Sequence, residues 1–492
     1  RDRRRLLKKM ASEAVRSNGL FDASDSPPQA VDELVARHAI TEFSSDQVGF
    51  SHDVLREWAI ASVFLESPDL IDSLDLDLPA SAIHGRSIEL LAAAKMLNDP
   101  TGQQWSELLA RFSEAGTHPS WPRAVRLCLV RSELHENFLK QAKELLVADD
   151  AAMLRNLIRI VKSVDVIPGK DFFLELGAQD LPSLDNIRIP SGPTWHRLID
   201  WLNANMASIP YKALPDVADL FIDWNTALMG MDWRSKLTTK WFHFWLMQIH
   251  KARTAETFAD RWQPFDGVLT TRELRSFEDQ IRSGLLAFAA SAPTEAVEYI
   301  EYLLSSRSDD QVSSQILKSG TALAKIAPTQ LAEVTWNYLV EPSENDEQSQ
   351  RYTSSKRDAF RHVDNQFMPE SPGHGPFYAL LEHSPVDGLD LIDRLLSHAI
   401  ERTEDDKTSD GFLLDFGDRP REVIREDSYL WASEGTNAGY ALSCALMALE
   451  AWGHERIEAD QPCLDVIQDV LGRNDKVPAV LVMIAIHLVL SN

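Results

Sequence analysis

The chain has 492 residues, of which 44% are hydrophobic and 25% are charged, a composition typical of globular proteins and not of disordered ones. Asp and Glu outnumber Lys and Arg by 75 to 49, and the resulting net charge of −26 disfavours binding to nucleic acids or anionic membranes. Cys128, Cys444 and Cys463 lie far apart without metal-ligand spacing, which excludes a disulfide scaffold and suits a reducing cytoplasm.

The first 66 residues predict two helices, a small hairpin and a third helix. Breaker residues separate these elements: Asn18-Gly19 after the first helix, Pro27-Pro28 before the second, and a Ser-Ser-Asp turn within the hairpin. Ser51 is expected to be the N-cap of the third helix. The elements are expected at residues 3–17, 30–37, 39–43 with 47–50, and 52–65. This order is the outline of a winged helix.

Helical patterns continue from Pro68 onward. Glycine is scarce, at 21 residues, and apolar residues recur at spacings of three and four between short proline turns. Clear examples are Arg86–Asn98, Gln103–Glu114, His135–Val147 and Ala151–Ser163. No repeat of fixed period is found. The fold class is therefore predicted as mostly α, a winged-helix domain followed by an α-solenoid-like helical-repeat array.

Polar segments interrupt the helices and suggest domain limits. A loop is predicted at 180–193, and two long polar tracts lie at 341–376 and 401–439, with a strand or hairpin at 412–418 inside the second. We expect these tracts either to lie near a ligand-sensing face or to be plain insertions. The predicted domains are a winged helix (1–66), a helical-repeat arm (67–340) and a second, truncated helical region (341–492).

Two apolar segments are predicted to be core helices. The aromatic segment 233–251 is apolar nearly all round, which favours core packing over an exposed recognition site. The segment 477–490, 14 residues long, is too short to span a bilayer and is expected to be a buried helix, so no membrane partner is predicted. The chain begins at Arg1 and stops at Asn492 directly after this apolar segment, and we expect both ends to be cuts from a longer polypeptide.

Motifs that carry common enzyme chemistry are missing from the sequence. GxxxxGK[ST], GxGxxG, HExxH, GxSxG and CxxC do not occur. The acidic segment Asp69–Asp77 lacks the glycine and terminal glutamate of a calcium loop and is expected to be a solvated face. No catalytic residue and no metal site are therefore predicted in this chain.

One segment carries more information. Residues 48–61, VGFSHDVLREWAIA, place a His-Asp pair at the start of a helix that follows a hairpin. This resembles the winged-helix end of the STAND class of signalling ATPases, which includes NACHT proteins and plant resistance proteins. Ser51-His52-Asp53 corresponds to the MHD motif of that class, with Ser51 in place of Met. The resemblance covers residues 1–66.

The resemblance implies a nucleotide switch. His52 at a helix N-terminus is expected to donate a hydrogen bond to the β-phosphate of ADP, and Asp53 to accept backbone N–H groups and hold the helix start in place. Both are predicted as cofactor-binding residues. The resemblance also implies that exchange of ADP for ATP, with Mg²⁺, releases the winged helix and permits self-oligomerisation. Since no P-loop lies in the chain, the nucleotide domain is expected upstream of residue 1.

A second resemblance lies in the C-terminal third. Gly375-Pro376-Phe377, the segment 388–395 and the helix 441–452 are similar to the helical sensor region of the antiviral STAND (Avs) proteins of bacteria. In that family the helical arm binds a phage protein. The resemblance implies a cytoplasmic anti-phage protein whose arm recognises a phage or stress protein and relays this to the nucleotide switch.

Other readings of the same residues are open. The chain is alternatively a stand-alone helical scaffold, or a winged-helix transcriptional adaptor whose basic start binds DNA despite the acidic total charge. The basic residues concerned are Arg3, Arg4, Arg5, Lys8 and Lys9. In either case His52 would be a partly buried helix-capping residue.

Overall fold

A computed structural model describes residues 1–16, 20–44, 46–175, 188–254, 268–306, 310–340, 360, 367, 370–403, 411–415, 419–424, 440–472 and 476–491. Most of these residues are helical, as predicted, and three small β-sheets accompany the helices within the described ranges. The chain divides into two compact units. The first consists of Arg1–Leu228 with Pro264–Arg272, and the second of Met229–Gln263 with Glu273–Asn492.

The first unit begins with helices and strands close to their predicted positions. They are α1 (Asp2–Ala14), β1 (Phe21–Asp22), α2 (Pro28–Ala36), β2 (Ile40–Ser44), β3 (Gln47–Phe50) and α3 (Asp53–Glu66). The strands form an antiparallel sheet in the order β1-β3-β2, in which β1 is an element that the sequence did not predict. A small apolar core lies between the helices and the sheet. It contains Leu6 and Met10 of α1, Val31 and Leu34 of α2, Ile40 and Val48.

Helices then follow one another to the end of the first unit. They are α4 (Ala82–Asn98), α5 (Gln103–Phe112), α6 (Ser120–Arg131), α7 (His135–Gln141), α8 (Lys143–Val161), α9 (Gly169–Glu175), α10 (Thr194–Asn205) and α11 (Leu214–Ala227), with short 3₁₀ turns at Pro68–Ser73, Met206–Ser208 and Tyr211–Ala213. Two short strands, β4 (Val166–Pro168) and β5 (Arg188–Pro190), pair antiparallel.

Two boundary predictions in this unit were wrong. The helix expected at His135–Val147 ends at Gln141, and α8 begins at Lys143. Within α8, residues Ala148–Ala151 leave the helical conformation, and Asp149, Asp150 and Ala151 have φ angles of 50°, 54° and 57°. Of the predicted loop at 180–193, residues 188–190 are strand, because Ile189 is buried in the β4–β5 pair, and 180–187 lie outside the described residues.

Large aromatic side chains and one buried arginine organise the core of these helices. Three buried tryptophans each donate the indole N–H to a backbone carbonyl: Trp105 to Val125 (3.1 Å), Trp121 to Leu78 (2.9 Å) and Trp195 to Val164 (3.3 Å). The buried Arg197 of α10 reaches the end of α6, where its Nη1 donates to the carbonyls of Val130, Arg131 and Ser132 at 3.0 to 3.2 Å. A guanidinium at a helix C-terminus satisfies carbonyls that lack an intrahelical partner.

The second unit is again built mainly of helices. They are α12 (Trp233–Thr254), α13 (Thr271–Ala287, which begins two residues before the unit boundary), α14 (Pro293–Ser306), α15 (Asp310–Lys318), α16 (Gly320–Ala324), α17 (Pro328–Val340), α18 (Phe377–His383), α19 (Pro385–Thr403), α20 (Tyr440–Glu458), α21 (Cys463–Leu471) and α22 (Ala479–Leu490), with a 3₁₀ turn at Ala289–Ser291. Strands β6 (Phe412–Asp415), β7 (Pro420–Ile424) and β8 (Lys476–Pro478) form a sheet in which β6–β7 is antiparallel and β7–β8 is parallel. The strand predicted within 412–418 is confirmed.

A charged network lies buried between the first helices of this unit. Arg282 of α13 is at its centre with a side chain only 3% exposed. Its guanidinium donates to Tyr299 (2.9 Å), Asp279 (2.9 Å), Gln315 (3.0 Å) and Glu278 (2.7 Å), and Glu278 also accepts from Arg253 (2.8 Å). The buried polar atoms of this network need these partners, because a buried charge without a partner lowers the stability of the fold.

The aromatic segment 233–251 lies in α12, and the prediction that it is a core helix is correct for one face only. Phe242 and Trp245 are buried, whereas Trp233 and Phe244 are exposed. The prediction for the last apolar segment is wrong in part, since α22 buries one face through Leu481, Ile484, Ala485 and Leu488 and exposes the other. No described helix is both long enough and apolar enough to cross a bilayer.

Candidate functional site at the start of helix α3

Only two residues, Ser51 and His52, separate β3 from α3. Ser51 is held by β2 and the residue before it: its N–H donates to the carbonyl of Ala39 at 3.2 Å, and its hydroxyl lies 3.0 Å from the hydroxyl of Thr41. The prediction that Ser51 is the N-cap was therefore wrong. Its hydroxyl is occupied by the hairpin instead of the first turn of α3.

The N-cap of α3 is His52. Its backbone is extended, with φ −143° and ψ 142°, and its carbonyl accepts the N–H groups of Leu55 (3.1 Å) and Arg56 (3.3 Å). The imidazole makes no capping hydrogen bond and is exposed. The backbone of His52 thus begins the helix, but its ring does not cap it. This differs from the scaffold or adaptor alternative, which expects a partly buried side chain that caps the helix.

Asp53 occupies the first turn of α3 and is also exposed. A carboxylate there is favoured by the positive end of the helix dipole, and it opposes the approach of a second anion. Asp53 and Arg56 together line a small cleft beside the sheet, with Phe43 and Gly49 opposite. The volume of this cleft, about 120 Å³, is below the ~300 Å³ at which small-molecule pockets begin.

Helix α3 has two apolar faces. The inner face consists of Ile60, Ala61, Val63 and Phe64, all buried, and α3 packs against both α1 and α4. The outer face lies next to His52 and exposes Val54 (60%), Leu55 (39%) and Trp58 (54%). Three large apolar side chains exposed together are typical of a surface that another molecule or domain covers.

Residues at the boundary of these faces carry charge. Glu57 lies on α3 one residue before Trp58, and burial raises the pKa of its carboxyl while the charge of Arg86 on α4 opposes that effect. Glu66 at the far end of α3 pairs with Arg4 at 2.7 Å and with Lys8, both on α1. The ion pairs with Glu66 join the ends of α1 and α3.

The basic N-terminal segment is partly neutralised within the chain. Besides the two residues paired with Glu66, Arg3 pairs with Glu33 of α2 at 2.9 Å. Three of the five basic residues considered for DNA binding are therefore engaged with carboxylates. Surface ion pairs of this kind are weak and exchange readily, but they lower the local positive potential.

The residues of the second resemblance are mostly core. Phe377, Leu380 and Leu381 of α18 are buried, as are Leu391, Ile392 and Leu395 of α19, so these side chains cannot contact a ligand directly. Gly388 is required by packing, because a Cβ there would lie 2.9 Å from the backbone nitrogen of Leu381. Most of the polar tracts at 341–376 and 401–439, expected near a sensing face, lies outside the described residues.

The chain matches no protein-family model, and no curated protein is significantly similar to it. The assignment to the STAND class therefore stays a prediction that rests on the sequence of residues 48–61. The outer face of α3 was missed in the sequence. Its signal was readable as a second set of apolar residues, at 54, 55 and 58, on a helix whose core face begins at residue 60.

Proposed function

We propose that this chain is part of a bacterial STAND ATPase acting in anti-phage defence. In this proposal residues 1–66 are the nucleotide-sensing winged helix, and the following helices form an arm that binds a phage or stress protein in the cytoplasm. The observation that supports the proposal is the start of α3, where an exposed His52 lies two residues after the hairpin and near the exposed Val54, Leu55 and Trp58.

The proposed role of His52 is to donate an imidazole N–H to the β-phosphate of ADP. An N–H donor and the free N–H groups of a helix start both favour a phosphate, and the positive charge of Arg56 one turn later offsets the opposing carboxylate of Asp53. The nearby cleft of about 120 Å³ is too small to hold the nucleotide. Because the GxxxxGK[ST] motif does not occur in this sequence, the proposal places ADP and Mg²⁺ in a P-loop domain elsewhere in the full-length protein. The face of Trp58 is the surface which that domain would cover in the ADP state.

Conformational changes would pass between the helical arm and the nucleotide-binding domain through α3. His52 precedes the first turn of α3, Trp58 lies on its outer face, and the helix packs against α4, the first α-helix after it. A displacement of α4 on ligand binding would therefore be passed to the end of α3 that faces the nucleotide. Release of this end on exchange to ATP would free the outer face for self-oligomerisation, as a population shift between two states.

The test uses the full-length protein that contains this chain, and begins with its coding sequence upstream of Arg1, where a GxxxxGK[ST] segment is expected. In that protein His52→Ala should release bound ADP roughly 10- to 100-fold faster, the worth of one hydrogen bond to a charged group. We also expect activity without the trigger ligand. ADP dissociation is measured with a fluorescent analogue, and activity as nucleotide hydrolysis with and without ligand.

The matched control is His38→Asn, another exposed histidine of the same region. His38 has a φ angle of 55°, a conformation that asparagine tolerates, and it lies outside the start of α3. This variant should release ADP at the wild-type rate. If His52→Ala retained ADP as tightly as the wild type and stayed silent without ligand, the role proposed for His52 would be wrong.

The rival function is a helical scaffold or adaptor with no nucleotide switch. Its DNA-binding version predicts that the full chain shifts duplex DNA in a salt-dependent manner. The pairing of Arg3, Arg4 and Lys8 with Glu33 and Glu66 argues against it. A start codon beside Arg1, together with no ADP binding, would favour the scaffold.

A further inference from the structure

Two histidines and one glutamate meet on the surface of the second unit. Glu450 and His454 lie four residues apart on α20 and so share a helix face, and His487 lies on α22. One ligand atom from each residue lies within 4.8 Å of those of the other two. The imidazole of His487 contacts the carboxylate of Glu450, and the rings of His454 and His487 are perpendicular with centroids 5.5 Å apart.

Close packing of α20 and α22 brings the three residues together. Gly453, next to His454, faces Leu488, next to His487: a Cβ on Gly453 would lie 2.8 Å from Leu488 Cδ1. Leu488 is fully buried at this contact. The helices therefore approach closely at the position adjacent to the cluster, and a small displacement of either helix is resisted by the core below.

The charges next to the cluster have other partners. Glu455 accepts a hydrogen bond from Tyr378, and Arg456 pairs with Asp469 at 2.6 Å and stacks on Trp452. All three cluster residues are at least partly exposed, so solvent can reach the space between their ligand atoms.

From this geometry we propose that Glu450, His454 and His487 form a divalent transition-metal site, with Zn²⁺ as its ion. Two imidazoles and one carboxylate are a donor set that zinc favours, whereas calcium and magnesium prefer oxygen ligands throughout. The ligand atoms of a tetrahedral zinc lie ~3.3 Å apart, so atoms within 4.8 Å reach that geometry by small side-chain rotations. A water molecule would complete the fourth position, and the ion would join α20 to α22.

This inference does not depend on the proposed nucleotide switch, since the two sites are tested by different ligands. The test is titration of the EDTA-treated, dialysed full chain with ZnCl₂ by isothermal calorimetry. We expect one Zn²⁺ per chain, and the intense visible absorption of tetrahedral Co²⁺ when cobalt is added instead. His454→Ala and His487→Ala should each weaken Zn²⁺ binding by more than the ~10- to 100-fold typical of losing an outer-shell partner.

His383→Ala is the matched control. His383 lies 3.4 Å from Glu382 in the same unit, as a histidine–carboxylate pair, and neither residue belongs to the cluster. Zn²⁺ should bind this variant as it binds the wild type. The metal-free variants should melt at the wild-type temperature, and only the rise in melting temperature caused by Zn²⁺ should disappear in His454→Ala and His487→Ala.

Two results would overturn the site. One is a wild-type chain that binds no Zn²⁺ stoichiometrically, in which case Glu450 and His487 are a surface ion pair only. The other is binding that His454→Ala and His487→Ala leave unchanged, which would assign the ion to other residues. Glu450→Gln keeps the shape of the side chain and removes its charge. Its affinity for Zn²⁺ should lie between that of the wild type and that of the two histidine variants.

Discussion

The network around Arg282 and the start of α3 use charged and aromatic side chains in opposite ways. Around Arg282 each of the three guanidinium nitrogens donates to an acceptor within the second unit, and the side chain is 3% exposed. At the start of α3, His52 is exposed and Trp58 is 54% exposed. The first group contributes to holding helices together, whereas the second adds little to the fold and is available to a partner. Their mutations should therefore separate stability from function.

The largest effect is expected for Arg282→Ala. The substitution leaves Glu278 buried with one of its cationic partners removed and leaves Tyr299 without its donor, which should cost ~3–5 kcal/mol of unfolding free energy. Denaturant unfolding followed by tryptophan fluorescence measures this cost. Arg275→Ala, at an exposed position of the same helix, is the control and should change stability by less than ~0.5 kcal/mol. Equal stability of the two variants would contradict the assigned role of the network.

A smaller loss is expected for Arg197→Ala in the first unit. It removes three hydrogen bonds to the carbonyls at the end of α6, which should cost ~1.5–3 kcal/mol because the donor is charged. Arg197→Lys retains the charge without the planar fork and should recover part of the loss. The two variants are compared by thermal unfolding. A lysine variant no better than alanine would mean that charge at this helix end contributes nothing.

The pH dependence of stability tests the surroundings of the Arg282 network. Burial lowers the pKa of His250 to about 4, with Glu278 opposing and Arg253 and Arg282 supporting the shift. Between pH 6.5 and 4 the unfolded chain binds a proton that the folded chain does not, so stability falls as the pH is lowered. The slope is at most ~1.4 kcal/mol per pH unit, less for a partly solvated group.

His250→Gln should therefore remove part of the stability difference between pH 7 and pH 5.5, by about 1 kcal/mol or less. The measurement is denaturant unfolding at both pH values for the variant and the wild type. His38→Asn, at an exposed position, should leave the difference unchanged. If His250→Gln did the same, His250 would be protonated in the fold as readily as in the unfolded chain.

The smallest effect is expected for Trp58→Ala. Although a large side chain is removed, its exposure predicts a stability change within ~0.5 kcal/mol. Trp105→Ala is the comparison, because Trp105 is fully buried and its loss should cost ~3–5 kcal/mol. Calorimetric unfolding of both variants measures the contrast. A cost for Trp58→Ala close to that of Trp105→Ala would make the outer face of α3 part of the core.

Local sequence patterns predicted most of the helices. They failed where contacts between residues far apart in the chain determine the structure. The helix and hairpin order of 1–66 follows from apolar spacing and from breakers such as Pro27-Pro28, and it was predicted. Ser51 was assigned as an N-cap because serine is common at that position. In the structure its hydroxyl is hydrogen-bonded to the hydroxyl of Thr41 across the hairpin and not to the first turn of α3. Strand β1 was missed because two residues carry no periodicity, and it exists only by pairing with β3.

The same distinction holds for the candidate sites, which were predicted only where their residues are close together in the sequence. His52 and Asp53 were found because their motif is contiguous, and their proposed role awaits its test. The cluster of Glu450, His454 and His487 was not found, since His487 lies 33 positions after His454 and on another helix. Only Glu450 and His454, at a spacing of four on one helix, gave a local signal. The exposed face of α22 could not be predicted either, because its residues are as apolar as those of the buried face.

The bond between Thr41 and Ser51 has a mechanical consequence. Ser51 is tied to β2 by its hydroxyl and to the residue before β2 by its N–H, and the next residue is His52. Strand β2 and the backbone of His52 are thus connected by two hydrogen bonds of Ser51 and a single peptide link. We therefore expect the backbone at the start of α3 to move together with β2, so that a displacement of the hairpin would also change the position of His52.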